Sequence, residues 1–417
     1  MTAADPYAAF RYRDVRLLLG GSLLANIGRA MLSVAVGWEL YQRTGSAMAL
    51  GWVGLVQALP IIVLAIPAGH LADRLDRTRI VFAARLVMIA AALGLAYLSV
   101  THGPVSLIYA CLLAASTAQA FNGAAASALL PQLVPRSVFH NVLTWKSSSF
   151  QVASVVGPAL GGWLLASGSA ALVYIADAAL NVIYAICVGS MSRRTDHATG
   201  REPTTLRSLV AGFHYVWKTK LILGAITLDL FAVLFGGATA LMPVFARDIL
   251  HVGPEGLGWL RAGPAIGAFA MAVTLAHAPP IPRVGQVMLG SVAGFGAATI
   301  VFGLSRSFGL SLLMLVLMGA LDMISVVVRH NLVQLGTPDA MRGRVSAVNN
   351  VFISSSNELG DFESGLVASL FGATFAVVSG GAATILVVLI AARLWPEIRR
   401  LKSLHGLSAD AAGATGS

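Results

Sequence analysis

One apolar run follows another through this chain, each close to the length a helix needs to cross a bilayer. About 20 apolar residues of helix span the hydrocarbon core. Twelve such runs can be laid out, at roughly 16–41, 47–72, 79–100, 104–130, 143–168, 170–192, 221–249, 256–278, 284–304, 308–334, 345–371 and 373–395. Inside a membrane each segment must satisfy its own backbone N–H and C=O groups, so runs of this length become helices. Of the 417 residues, 57% are hydrophobic and 11% charged, against about 25% charged in an average soluble domain. The expected fold is therefore an all-α membrane protein. The run from Leu17 is too long for a signal-peptide core and reads as a retained first span.

Most connections are short. The exception, roughly 193–220, contains RRTDHATGREPTTLRSL, polar and basic. It divides the chain into an N-terminal half (1–192) and a C-terminal half (221–402) of six spans each, joined by a cytoplasmic linker (193–220) and followed by a disordered tail (403–417). An even span count puts both termini on one side. Loops on that side carry Arg74, Arg77, Arg79, Arg136, Arg193, Arg194, Arg283, Arg342 and Arg344, whereas the opposite loops hold Arg43, Arg247 and Arg306. By the positive-inside rule both termini are cytoplasmic. The net charge of +10 thus reports topology, and no nucleic-acid partner is expected. Cys111 and Cys187 lie in apolar runs and read as inert packing residues.

The halves echo each other. PQLVPRSVFHNVLTWKSSSFQVASVVGPALGG (131–162) aligns with VQLGTPDAMRGRVSAVNNVFISSSNELGDFESG (333–365), pairing Pro135 with Pro338, Gly157 with Gly360 and Gly162 with Gly365, all offset by 203. Fainter echoes link LLLGG (17–21) to LILGA (221–225) and ALGW (49–52) to GLGW (256–259). Repeats of equal topology are related by an axis along the membrane normal, and transporters built this way hold substrate between their halves.

Two motifs narrow the class. GHLADRLDRTR (69–79) supplies Gly69, Leu71, Asp73, Arg74, Asp76 and Arg77 and resembles the cytoplasmic loop signature of the major facilitator superfamily. Gly69 is expected to allow a tight turn at a helix end, and Asp73 to sit at the positive N-terminus of a neighbouring helix. VGPALGG (156–162) resembles the end of the antiporter signature of proton-linked exporters. Its Gly157, Pro158, Gly161 and Gly162 are expected to bend a helix and let it pack closely. Upstream glycines of that signature are replaced here by Thr144 and Ala153. The chain from about residue 10 to 402 is similar to the transmembrane secretion effector branch, which includes the enterobactin exporter and drug-efflux proteins. The resemblance is carried by LYQRTGSAMALGWVGLVQALP (40–60), ALLPQLVPRS (128–137), TPDAMRGRVSAV (337–348) and NELGDFESG (357–365).

That resemblance implies twelve transmembrane helices in two pseudo-symmetric six-helix bundles. It also implies export of a small amphipathic, drug- or siderophore-like molecule by alternating access and proton antiport, in a monomer of the bacterial inner membrane. A lysophospholipid or lipid flippase and a solute symporter are the alternatives on the same fold. Helices 1, 4, 7 and 10 line the cavity in this superfamily, which points to Arg29, Gln119, Asn122, Asp229 and Asp322 as substrate-cavity candidates. Asp177, on a helix usually peripheral, ranks behind them. Glu39 and Arg247 are expected to reach water at the outer helix ends.

Charged groups at membrane depth cost about 3 kcal/mol and usually face a cavity or a partner. Glu358, Asp361 and Glu363 interrupt an otherwise apolar run. Asn350, Ser354, Asn357, Glu358, Asp361 and Gly365 fall on one helical stripe, which must line water or another helix rather than lipid. Glu358, Asp361 and Glu363, with Arg29 and Arg261, are the coupling or ion-pair candidates. No GxxxxGK[ST] or HExxH motif occurs and the nine histidines are scattered, so no cofactor, metal or enzymatic chemistry is expected.

Overall fold

The computed structural model describes residues 5–191, 206–279 and 282–401. The expected tail and most of the linker's polar stretch lie outside these residues. Among the described residues every regular element is helical.

The helices are α1 (Arg13–Thr44), α2 (Ala47–Arg74), α3 (Arg77–Val100), α4 (Val105–Leu133), α5 (Arg136–Ser167), α6 (Ala170–Gly189) and α7 (Leu206–Lys218). Then follow α8 (Lys220–Phe235), α9 (Ala238–Val244), α10 (Gly253–His277), α11 (Val284–Leu304), α12 (Phe308–Leu335), α13 (Asp339–Phe371), α14 (Ala373–Leu394) and α15 (Pro396–Arg400). Among the described residues eleven segments are long and apolar enough to cross a membrane, counting Lys220–Ile249 as one. The twelfth expected span coincides with α13, 33 residues long and carrying Glu358, Asp361 and Glu363. The expected twelve spans are recovered. Pro60, Pro67, Pro131, Pro158 and Pro264 all sit inside helices, as membrane helices tolerate. Between α13 and α14 the chain reverses on Gly372 alone, at φ +91°, a conformation that residues with side chains rarely adopt.

The span expected at 221–249 is not one regular helix. It breaks at Gly236–Gly237, where the Ala238 N–H turns to the Gly236 carbonyl (2.7 Å), and it ends in a wide π-turn at Phe245–Ile249. A glycine pair is a usual cause of such a break.

Contacts gather the chain into two compact units. The first holds α1, α3–α6, most of α2 and the start of α10 (Gly253–Ala262). The second holds the start of α2 (Thr44–Leu55), α7–α9, the rest of α10 and α11–α15. Both α2 and α10 are divided between the two units, at Leu55/Val56 and Ala262/Gly263.

Small residues set helix spacing in both units, at positions the repeat predicts. In the first unit Gly157 of α5 lies on α1: a Cβ there would stand 2.9 Å from the Ile27 carbonyl oxygen. In the second, its repeat partner Gly360 of α13 lies on α8, 2.8 Å from the Leu234 carbonyl by the same measure. Elements before each first span also match. Residues just ahead of α1 dock on α5: Asn141 accepts from the Ala9 N–H (2.9 Å), and the Trp145 indole donates to the Pro6 carbonyl (2.9 Å). Similarly, α7 docks on α13 at Arg344 and Val348, the residues 203 positions beyond Asn141 and Trp145. The repeat therefore includes the segments that lead into each half.

Candidate functional site

Among the described residues, buried charge clusters occur in both units. In the first, Arg85 of α3 and Asp177 of α6 are both buried. Arg85 donates to Asn181 Oδ1 (2.8 Å) and stacks over the Tyr184 ring, 4.4 Å from its centre. Asn181 in turn donates to the Asp177 carboxylate (3.0 Å). Gly28 of α1 makes room for that carboxylate, since a Cβ at Gly28 would stand 2.5 Å from Asp177 Oδ1. Arg29 of α1 adds a second positive charge within electrostatic reach of Asp177. Asp177 lies on the inward side of α6, whose opposite side exposes Ile175, Val182 and Ile186; it is 4% exposed and tied to α1 and α3. Arg85 falls inside the apolar run 79–100, and nothing in the run itself names its partner. The available signal was that Arg85 and Asp177 are opposite charges at membrane depth, which seek each other.

In the second unit Asp229 of α8 forms an ion pair with Arg329 of α12. Both are nearly fully buried, so this is a structural tie between two helices that were expected to line a cavity. Asp322 stands near the middle of α12, two turns before Arg329 and on the same helical face. It is half-buried, with no ion pair or hydrogen bond among the described residues.

The α13 stripe packs against α2. A Cβ on Gly54 would meet the Glu358 carbonyl at 2.8 Å and Asp361 Cβ at 2.9 Å, while Gly51 lies on Gly365. Trp52 and Phe362 close this seam edge-to-face, 5.5 Å apart. Glu363, off the stripe and half-buried, accepts a long bond from the Ser364 hydroxyl (3.4 Å). The side chains of Asn350 and Ser354 lie outside the described residues.

Of the remaining candidates, Gln119 and Asn122 bond each other across one turn of α4 (3.5 Å). The Asn122 side-chain Oδ1 is buried with no hydrogen-bond partner among the described residues. Arg261 of α10 donates to Ser33 of α1 (2.8 Å), one turn along from Arg29. Glu39 does not reach water as expected: it is 6% exposed, accepting from Tyr174 (2.7 Å) and pairing with Arg43 (2.5 Å). Arg247 stays near solvent beside Asp248 (3.6 Å).

The signature loop differs in detail from expectation. Gly69 makes no turn, because α2 continues to Arg74. The cap of α3 is Asp76 rather than Asp73, and it accepts from the backbone N–H of Thr78 (2.8 Å) and Arg79 (3.3 Å). Only the residue just before a helix reaches its unsatisfied N–H groups, and Asp73 is a turn too early. Asp73 instead lies 3.9 Å from Arg77. Arg77 donates to the Ala72 and Ala128 carbonyls (both 3.2 Å), tying this corner to α4. In VGPALGG, Gly161 lies on Met31 of α1 and Gly162 on Gly258 of α10.

Twelve spans, an internal repeat and charged clusters at membrane depth define a multi-pass membrane transporter of the major facilitator fold. Solved structures agree on that fold. A bacterial homologue of the human lysosomal transporter Spinster matches with a TM-score of 0.73 at 14% identity, over 95% of this chain and 98% of its own. The nucleoside transporter NupG matches with a TM-score of 0.71 at 13% identity, over 93% and 100%. The chain belongs to the transmembrane secretion effector family, which matches residues 4–410. Among its relatives are enterobactin exporters. That of Citrobacter koseri is 28% identical over 90% of each chain, and that of Escherichia coli O1:K1 is 28% identical over 77% of each.

Proposed function

We propose that the chain is a secondary active exporter that moves a small amphipathic molecule, drug- or siderophore-like, out of the cytoplasm by alternating access in exchange for protons. It would do so as a monomer in the bacterial inner membrane, with both termini cytoplasmic, as the basic loops suggest. Family membership and the enterobactin exporters aligned along most of the chain support export. The observation that carries coupling is Asp322, a half-buried carboxylate in the middle of a span without an ion pair among the described residues. A carboxylate in that setting is costly when charged and gains by taking up a proton. Asp229, by contrast, is held by Arg329.

The test uses everted vesicles from an efflux-deficient host, with enterobactin and ethidium as probes. Uphill accumulation should follow the proton gradient and vanish with a protonophore. Asp322→Asn should keep downhill exchange and lose uphill accumulation. Uphill transport that survives the protonophore, or a normal Asp322→Asn variant, would refute the coupling scheme.

A further inference from the structure

The linker helix α7 has two unlike faces. One is fixed to the second unit. Val216 is buried among Ile222, Ile226, Val333, Val345 and Val348. The Tyr215 hydroxyl donates to the Gly336 carbonyl (3.0 Å), and Gly212 lies so near α13 that a Cβ would stand 2.7 Å from the Arg344 carbonyl. The other face is exposed among the described residues. Phe213 is 45% and Trp217 64% exposed; the two rings stack at 5.8 Å, and Phe213 continues onto Phe352 at 6.3 Å. Lys218 and Lys220 follow, both exposed.

The position of this face is set by chain connectivity. Thr219 alone separates α7 from the membrane-spanning α8, and its N–H still bonds back to the Tyr215 carbonyl (3.0 Å). The aromatic ridge therefore lies within two turns of the point where the chain enters hydrocarbon. An aromatic ridge followed by lysines at that depth matches the chemistry of the headgroup layer, where rings meet the acyl boundary and ammonium groups meet phosphate. We infer that α7 is an interfacial foot that binds anionic phospholipid, with Phe213 and Trp217 in the acyl boundary and Lys218 and Lys220 on the headgroups. Through Gly212 and Tyr215 the same helix touches both sides of the α12–α13 turn, so lipid held by α7 bears directly on that corner.

The test reconstitutes the full chain in nanodiscs of phosphatidylcholine, with or without phosphatidylglycerol. Brominated lipid should quench a fluorescence component that Trp217→Phe removes, and iodide should not reach it. Phosphatidylglycerol should raise the wild-type melting temperature, and binding should weaken about fivefold for each of Lys218→Gln and Lys220→Gln. Added salt should weaken it further. If Trp217 is quenched by iodide and not by brominated lipid, the face meets water. If it is shielded from both and the protein is dimeric, the face meets a second copy. If the Lys218→Gln/Lys220→Gln protein responds to phosphatidylglycerol as wild type does, the lysines hold no headgroup. Each of these three results overturns the assignment, and none depends on transport activity.

Discussion

Gly162 of α5 and Gly258 of α10 lie back to back: a methyl carbon added to Gly162 would stand 2.8 Å from the Gly258 Cα, and one added to Gly258 would stand 2.9 Å from the Gly162 Cα. The second unit repeats the arrangement. There Gly51 of α2 meets Gly365 of α13, with a Cβ on Gly365 standing 2.6 Å from the Gly51 Cα. The repeat exchanges the two pairs, since Gly162 aligns with Gly365 and Gly51 with Gly258. Small residues allow this approach because membrane helices associate by close packing, with little hydrophobic driving force between them.

These seams should therefore reject side chains. Gly162→Leu and Gly365→Leu should each destabilise the protein by about 1–3 kcal/mol through overpacking, seen as a lower melting temperature in detergent. Gly20→Leu, where nothing lies within 4 Å of the added carbon, is the control. Equal melting of all three would show that the seams bear no packing load.

Breaking the Asp229–Arg329 pair on one side leaves the other charge buried and alone. Asp229→Asn or Arg329→Gln should each cost about 3–5 kcal/mol. The double variant should recover much of that loss. A thermal-melting double-mutant cycle measures the coupling; additive losses would mean that the two groups do not depend on each other.

At the signature loop, Asp76→Ala should cost about 1 kcal/mol by removing the α3 cap, and Asp76→Asn much less, because asparagine also caps well. Asp73→Ala should have the smaller effect on melting, since its only described partner is Arg77 at 3.9 Å. The reverse order would return the cap to Asp73.

The α13 acids can be separated from Asp322 by the same vesicle assay. Glu358→Gln and Asp361→Asn, at the α2 seam, should lower the amount of folded transporter more than the coupling ratio of what remains. If either variant abolishes uphill transport while leaving exchange and melting unchanged, the coupling proton resides on α13 instead.

Much of this protein was legible in its sequence, for a physical reason. A bilayer offers the backbone no hydrogen bonds, so length and apolarity alone dictate where helices form. The twelve spans, the repeat and the match of Gly157 with Gly360 followed from that and from counting. Side-chain partners were not legible. Whether Asp177 faced lipid or Arg85, and whether Glu39 met water or Tyr174, depends on the rotation of each helix about its axis, which distant helices fix. The Gly236–Gly237 break was partly legible, since a glycine pair is a usual place for one, but its neighbours, Phe295 of α11 and Gly360 and Ser364 of α13, appear only in the tertiary structure. NELGDFESG marks the division well: the sequence required its stripe to avoid lipid, and the tertiary structure laid it against Gly51 and Gly54 of α2.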